Sequence, residues 1–231
     1  MDEIMRDEKF FCQYRDSLRN EIANLTSFIR VYQFLQQNRD KYVNEMNIAP
    51  AFFSIVLGSL YSSIIIWIAK LFNNNSKRGE KGFNNYLTLV RSHVGLLSKR
   101  SFMRRRKVRN DYWIFTQTSW TPVEICDIEK DVDRIKSNEV LLRIKKQRDK
   151  YYAHFDKAYF FKANKLHYDY PITLNNLNEI INLIDIIFNR YSVAFDGSAV
   201  ICEPINVLDI EVLLEMLKKS EVNKYGNRSS Q

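Results

Sequence analysis

The sequence predicts an all-α protein, a single-domain helical bundle with long helices, and three observations lead to this prediction. Gly and Pro number only 6 and 4 in 231 residues. Their combined share is well below the roughly 12% that these two residues have in average proteins. This disfavours a sandwich or barrel, which needs a turn roughly every 8–12 residues. Apolar residues recur at helical spacing, whereas period-two alternation is never sustained. The hydrophobic share of 45% is enough for a core, which excludes a wholly disordered chain.

The first predicted element is a long helix over roughly 5–46, with room for one break. Its apolar residues follow one another at steps of three or four positions, so they form a single face. That face consists of Phe11, Tyr14, Leu18, Ile22, Leu25, Ile29, Tyr32 and Leu35.

The second predicted element, 48–69, contains no charged residue. A run of about 22 uncharged residues is long enough to cross a membrane, so two interpretations are open. We predict a core helix, apolar nearly all round because other helices surround it, and no stable membrane insertion. A membrane-associated helical protein is the alternative. Ser54, Gly58 and Ser62 argue against a membrane span, because they leave a small, polar stripe at i, i+4 spacing.

Further helices are indicated by their apolar stripes and by the residues at their ends. A third stripe runs over 83–97. The run Thr121–Glu124 (TPVE) predicts a helix start, with Thr as N-cap, Pro at the first helical position and Glu completing a capping box. Thr173 is predicted to begin another helix, which Gly197 closes.

The last predicted helix begins at Asn206 or Asp209. We predict that one helical domain occupies 1–219 and that a disordered tail occupies 220–231.

A basic segment concentrates much of the formal net charge of +8. Seven of the 11 residues in 99–109 are basic and none is acidic, and we predict a basic loop over about 98–112. This loop is either a solvated connection or a surface that binds RNA phosphates. The candidate RNA-binding residues are Lys99, Arg100, Arg104, Arg105, Arg106, Lys107 and Arg109.

No metal site and no cofactor are predicted. Cys12, Cys126 and Cys202 are far apart and form no CxxC pair, so a zinc site or a disulfide framework is not indicated. Asp127 and Asp131 share a helix face, but acids in the first turns of a helix are better explained by its dipole. The charged N-terminus lacks the apolar region of a signal peptide, and we expect a cytoplasmic protein.

The most informative segment is 143–156, because it places an arginine in an apolar stripe. The predicted inward positions are Leu141, Ile144, Arg148, Tyr151 and Phe155. A buried arginine needs a partner. Either Arg148 pairs with an acid such as Asp131 or Asp185 and His154 is a core histidine, or Arg148, Asp149 and His154 belong to a cleft, which a second copy of the chain could complete.

The segment RDKYYAHFD at 148–156 resembles the Arg–polar–x–His signature of the all-helical HEPN superfamily. More specifically, it is similar to the "RDK…AH.D" segment of HEPN domains grouped with abortive-infection proteins of the AbiU type. The neighbouring helices agree with this resemblance. IWIAKLFN at 66–73 stands where those proteins have a run like "LARLFD", and 170–191 is similar to the helix that follows the motif. The resemblance covers roughly 10–195.

The resemblance implies a metal-independent endoribonuclease that acts as a homodimer in phage defence or in a toxin–antitoxin system. It implies that Arg148, Asp149 and His154 are catalytic. Lys146 and Lys150 are predicted to bind RNA nearby, and an antitoxin or another defence-system protein is an expected partner. The alternative is a non-catalytic HEPN-like module that binds RNA or a protein. Where some HEPN toxins have a modifiable Tyr two residues after the His, this chain has Asp156.

Overall fold

The computed structural model describes residues 2–73, 82–108, 120–152, 156–199 and 207–226, and in these ranges it contains helices and no strand. The predicted all-α class is confirmed. The α-helices are α1 Asp2–Gln37, α2 Val43–Ile48, α3 Pro50–Leu71, α4 Phe83–Ser92, α5 Lys99–Val108, α6 Ile125–Lys136, α7 Glu139–Gln147, α8 Lys157–Phe160, α9 Ala163–Asp169, α10 Leu174–Asp196 and α11 Leu208–Gly226. A short 3-10 helix occupies Val94–Leu97 and a π-helix occupies Arg148–Tyr152.

The chain divides into two compact units, each assembled from two separate stretches of sequence. The first unit contains Met1–Ala23 and Ile65–Cys202, and the second contains Asn24–Ile64 and Glu203–Gln231. Helices α1 and α3 therefore contribute residues to both units. The single domain over 1–219 stays a prediction.

The core of the first unit is aromatic, because the predicted stripes of α1, α4 and α10 meet there. Phe11 of α1 stacks on Phe195 of α10 with ring centroids 4.5 Å apart. Tyr86 of α4 is fully buried and contacts Phe188 and Tyr191 of α10. Helix α10 also contacts α5 and α7, so it supports both the basic segment and the segment that leads to Arg148.

A buried ion pair joins α1 to α10. Arg15 donates from Nη1 to Asp196 Oδ2 at 2.9 Å, and both side chains are nearly inaccessible to solvent. Burial by itself would raise the pKa of Asp196, but the charge of Arg15 and the hydrogen bonds from Ser198 outweigh it and lower that pKa. Two buried charges are tolerable here because each has partners.

Helix α10 begins and ends where local chemistry predicts. The Thr173 side chain accepts the backbone N–H of Asn176 at 3.2 Å, and the Asn176 side chain accepts the N–H of Thr173 at 3.1 Å. Gly197 has φ of 82°, the left-handed conformation in which a residue without Cβ is favoured. Both predictions for this helix are confirmed.

Three other predicted boundaries are wrong. The N-cap of α6 is Glu124 and not Thr121. The predicted kind of capping box forms three residues later, between Glu124 and Asp127. The basic segment is not a loop where the structure describes it, since α5 is helical from Lys99 to Val108. Helix α11 continues to Gly226, so the predicted tail does not begin at 220.

The second unit has a small core. It contains Leu35, Tyr42, Met46 and Leu214 as buried residues. The break allowed in the first predicted helix is confirmed, since α1 ends at Gln37 and α2 begins at Val43.

Helix α3 is buried along only part of its length, contrary to the prediction of a helix surrounded on nearly all sides. Phe52 and Ile55 are 58% and 68% exposed, whereas Ile64, Ile65 and Ile68 are fully buried. Among the described residues, α3 is the one helix long and apolar enough to cross a membrane, by length and composition only, and 22% of its most hydrophobic window is buried. The prediction of no stable membrane insertion stays a prediction.

Candidate functional site

Helix α7 leads into the 148–156 motif in the first unit. The Asn138 side chain caps α7 by accepting the N–H of Leu141 at 2.9 Å. The buried face of α7 consists of Val140, Leu141, Ile144 and Gln147. The Gln147 amide is fully buried and donates to the Tyr170 carbonyl at 2.6 Å.

Arg148 does not occupy the inward position that the apolar stripe predicted. Positions three and four residues after Ile144 both lie towards the interior, and the buried one is Gln147. The neutral amide of Gln147 donates to a backbone carbonyl, whereas a guanidinium costs far more to desolvate. Arg148 is 21% exposed, which leaves it accessible at the edge of the unit.

The Arg148–Tyr152 segment winds as a π-helix. A π-turn has i→i+5 hydrogen bonds and changes which side chains share a face. Such turns are rare, and they are frequent at functional sites. The segment therefore presents Arg148 and Asp149 in a geometry that the ideal helix of the sequence prediction does not have.

Asp149 is the partner of Arg148. Both Nε and Nη2 of Arg148 donate to Asp149 Oδ1, at 2.8 Å and 2.5 Å. The predicted partners are wrong. Asp131 instead accepts from Arg190 and from the Tyr191 hydroxyl. Asp185 accepts from Asn189.

A small cavity lies beside Arg148. Its volume of about 70 Å³ is far below that of a drug-sized ligand pocket, which takes at least about 300 Å³. It is lined by Ala69, Phe72, Asn73, Ile135, Lys136, Leu141, Leu142, Lys145 and Arg148. The arrangement suits a ligand that lies across the surface better than one enclosed in a pocket.

His154 lies in 153–155, outside the described residues. The residues on either side of this stretch contact each other. The Lys150 ammonium donates to Asp156 Oδ2 at 2.7 Å, and the Asp156 N–H donates to the Lys150 carbonyl at 3.0 Å. The side-chain bond raises the pKa of Lys150 and lowers that of Asp156. Lys150, predicted to bind RNA, is thus already paired with a carboxylate, whereas Lys146 is exposed.

Arg105 in the basic helix α5 has a structural role. It donates from Nε to the Phe195 carbonyl at 2.7 Å and from Nη1 to Glu8 at 2.9 Å, and it also bonds the Leu96 carbonyl. Its guanidinium lies 3.8 Å from the centroid of the Phe195 ring. Burial lowers the pKa of Arg105 against the opposing effect of Glu8. Its assignment to an RNA-binding surface stays a prediction.

The other basic residues of this segment differ in accessibility. Arg104 pairs with Glu8 while remaining half-exposed, and Lys99 and Arg100 are exposed. The side chains of Arg106 and Lys107, and Arg109 altogether, lie outside what the structure describes.

In the described ranges, no cluster of three or more His, Cys, Asp or Glu side chains is placed to hold a metal ion. The two acids considered for such a site have other partners. Asp127 accepts the backbone N–H of Glu124, and Asp131 pairs with Arg190.

Sequence reasoning missed three exposed aromatic side chains directly after the motif. Phe160, Phe161 and Tyr168 are exposed on α8, α9 and the turn between them. The signal was present as paired phenylalanines and a tyrosine among lysines in 157–168.

The all-helical fold and Arg148, six residues before His154 in sequence, agree with what the HEPN resemblance implies. The chain belongs to the AbiU2 family, since the family model HEPN_AbiU2 matches residues 8–215. It is therefore an abortive-infection-related HEPN domain, which confirms the resemblance. No curated protein and no solved structure matched the chain.

Proposed function

We propose that this domain is a metal-independent endoribonuclease that cleaves RNA through the ribose 2′-OH. The observation that carries the proposal is the accessible Arg148–Asp149 pair on a π-turn, with His154 six residues on and Lys146 exposed beside it. RNA supplies its own nucleophile, so the protein needs to move protons and stabilise charge on phosphate.

In the proposed reaction, His154 accepts the 2′-OH proton as the 2′ oxygen attacks the adjacent phosphorus. The bond from phosphorus to the 5′ oxygen breaks, and that oxygen takes up a proton. The products are a 2′,3′-cyclic phosphate and a 5′-hydroxyl. Histidine suits both proton transfers because its ordinary pKa lies close to neutral pH. Arg148 stabilises the pentavalent transition state through hydrogen bonds to the phosphate oxygens.

Asp149 acts as a positioning residue for Arg148 in this proposal. Two donors of Arg148 converge on one oxygen of Asp149, which fixes the plane of the guanidinium. Nη1 is the guanidinium nitrogen that this pair does not use. A planar cation held in advance loses less conformational entropy when it binds phosphate.

We also propose that the protein is a cytoplasmic homodimer that acts in phage defence or in a toxin–antitoxin pair. Its regulator would be an antitoxin or another defence-system protein. Family membership supports this setting, because the family is one of abortive-infection HEPN proteins.

The test is cleavage of RNA by the purified full-length protein in the presence of EDTA, followed by chemical identification of the product ends. We expect 5′-hydroxyl and 2′,3′-cyclic phosphate ends, and we expect His154→Ala to slow cleavage by about 10²–10⁴-fold. His93→Gln is the matched control, because His93 bonds the Leu89 carbonyl and lies 3.6 Å from Asp7, and neither residue belongs to the motif. Unchanged cleavage by a folded His154→Ala protein would contradict the assignment. RNA binding by the wild type without any cleavage would favour the non-catalytic module.

A further inference from the structure

Two aromatic side chains stand out from the rest of the described surface. Phe161 and Tyr168 are 75% and 85% exposed, the highest values among the large hydrophobic side chains that the structure describes. Phe160 is also exposed, and its ring meets that of Phe161 edge to face at 5.1 Å. Exposed aromatic rings in a group indicate a binding surface more often than a structural role.

The fold of the α8–α9 hairpin depends on other residues. Tyr159 is buried and donates its hydroxyl to Asp169 at 3.0 Å. Lys165 bonds the same carboxylate at 2.5 Å, and the Tyr159 ring contacts Tyr170. These contacts close the hairpin from its inner side, so the exposed rings contribute little to its stability.

The charge around these rings is positive. Asp156 and Asp169, the acids in 156–170, are paired with Lys150 and Lys165. Lys157 and Lys162 are exposed in the same stretch, and within the described part of the chain neither forms an ion pair with a carboxylate. A polyanion would therefore meet uncompensated positive charge next to exposed aromatic faces.

The α8–α9 hairpin adjoins the candidate catalytic segment. Helix α8 contacts the π-helix that carries Arg148. Its N-cap, Asp156, lies two positions after His154 in sequence and is bonded to Lys150 of that π-helix. A strand whose phosphate is held at Arg148 would have its neighbouring nucleotides within reach of the hairpin.

We propose that Phe160, Phe161 and Tyr168 form a stacking platform for unpaired bases of single-stranded RNA, with Lys157 and Lys162 contacting its phosphates. We call these five residues the α8–α9 surface. Stacking on aromatic side chains requires bases that are not already stacked in a duplex, so the platform selects single strands and tolerates any sequence. The inference rests on the proposed function for the identity of the polyanion as RNA.

The test measures binding separately from cleavage. The probe is a short, fluorescently labelled 2′-O-methyl RNA, which lacks the nucleophilic hydroxyl and therefore stays intact whether or not the protein is a ribonuclease. We expect Phe161→Ala and Tyr168→Ala each to weaken binding by about tenfold, as loss of one stacked base predicts. Phe161→Trp restores a stacking face and should bind nearly as tightly as the wild type.

Phe52→Ala, which removes an exposed phenylalanine from α3, is the matched control and should leave affinity unchanged. Thermal unfolding should be the same for all four variants, because each ring is exposed. Equal affinity of wild type and Phe161→Ala for the single strand would overturn the proposal. The proposal would also be overturned if duplex RNA bound as tightly as the single strand and lost the same affinity in the Phe161→Ala variant.

Two outcomes separate this inference from the proposed function. If the wild type binds 2′-O-methyl RNA through these rings but cuts no RNA, the stacking platform stands and the nuclease assignment fails. In the other outcome, cleavage depends on His154, the ring variants bind RNA normally, and sedimentation shows that their oligomeric state has changed. The exposed rings would then be a protein contact, and the stacking platform would be wrong.

Discussion

Two arginine-bearing segments of the first unit look alike in sequence and differ in structure. Arg105 lies in a run of basic residues on α5, and Arg148 follows two lysines at the end of α7. Arg105 is 11% exposed, and its guanidinium contacts Glu8, two backbone carbonyls and the Phe195 ring. Among the described residues, Arg148 hydrogen-bonds only to its neighbour Asp149, and it is 21% exposed.

The comparison shows that the density of positive charge does not identify the arginine whose donors stay more accessible. The denser basic segment uses Arg105 to join α5 to α1 and α10, because a five-donor guanidinium can satisfy several acceptors from different elements. The isolated Arg148 keeps donors available because its one carboxylate partner is adjacent in the chain and orients it without burying it.

The largest expected effect is on catalysis at Arg148. Arg148→Ala should lower the rate of RNA cleavage by about 10²–10³-fold, by analogy with loss of one oxyanion donor. Arg148→Lys should recover part of this loss, because it keeps the charge but not the planar fork. Stability, measured by urea unfolding, should change by less than about 1 kcal/mol. An equal loss of stability and activity would make Arg148 a structural residue like Arg105.

The next effect is on folding at Arg105. Arg105→Ala should destabilise the protein by about 2–4 kcal/mol, because it leaves two backbone carbonyls without their donor and removes a cation from the Phe195 ring. The corresponding fall in melting temperature is about 5–15 °C. Arg104→Ala is the control, since Arg104 also pairs with Glu8 but is half-exposed, and it should cost less than about 1 kcal/mol. Normal stability with weaker RNA binding in Arg105→Ala would reverse the contrast between the two segments.

The smallest expected effect concerns the exposed cations of α5. If Lys99 and Arg100 contact RNA phosphates, replacing each with Ala should flatten the slope of log K against log salt for single-stranded RNA by about 0.7. The experiment leaves Arg105 intact, so that a folding defect is not mistaken for lost binding. An unchanged slope would show that α5 is a solvated surface helix and that RNA contacts lie near Arg148.

Much of the fold could be predicted because its signals are local. The stripe from Phe11 to Leu35 predicts the buried face of α1, and all of it except Tyr32 is buried. Thr173 and Gly197 mark the ends of α10 through bonds and dihedral angles that involve residues close in sequence. The capping prediction at Thr121 failed for a related reason: Glu124 and Asp127 offer the same local chemistry three residues later.

The candidate site could be predicted as a motif but not as a geometry. Spacing placed Arg148 on the inward face, whereas the structure places Gln147 there and turns the next residues into a π-helix. The exposure of Phe161 and Tyr168 depends on how Tyr159 and Asp169 close the α8–α9 hairpin. Periodicity carries no information on either point, because both depend on which side chains find partners after the helices pack.

The sequence alone determined the helical class, the faces of the principal helices and the family, since short-range periodicity, capping and a contiguous motif encode them. Only the tertiary structure decided which charges are buried. Glu8 meets Arg105 from 97 positions away, and Arg15 meets Asp196 from 181 positions away. The physical reason is that burying the charge of Arg15 carries a desolvation cost, and the carboxylate that offsets it, Asp196, is brought close only by folding.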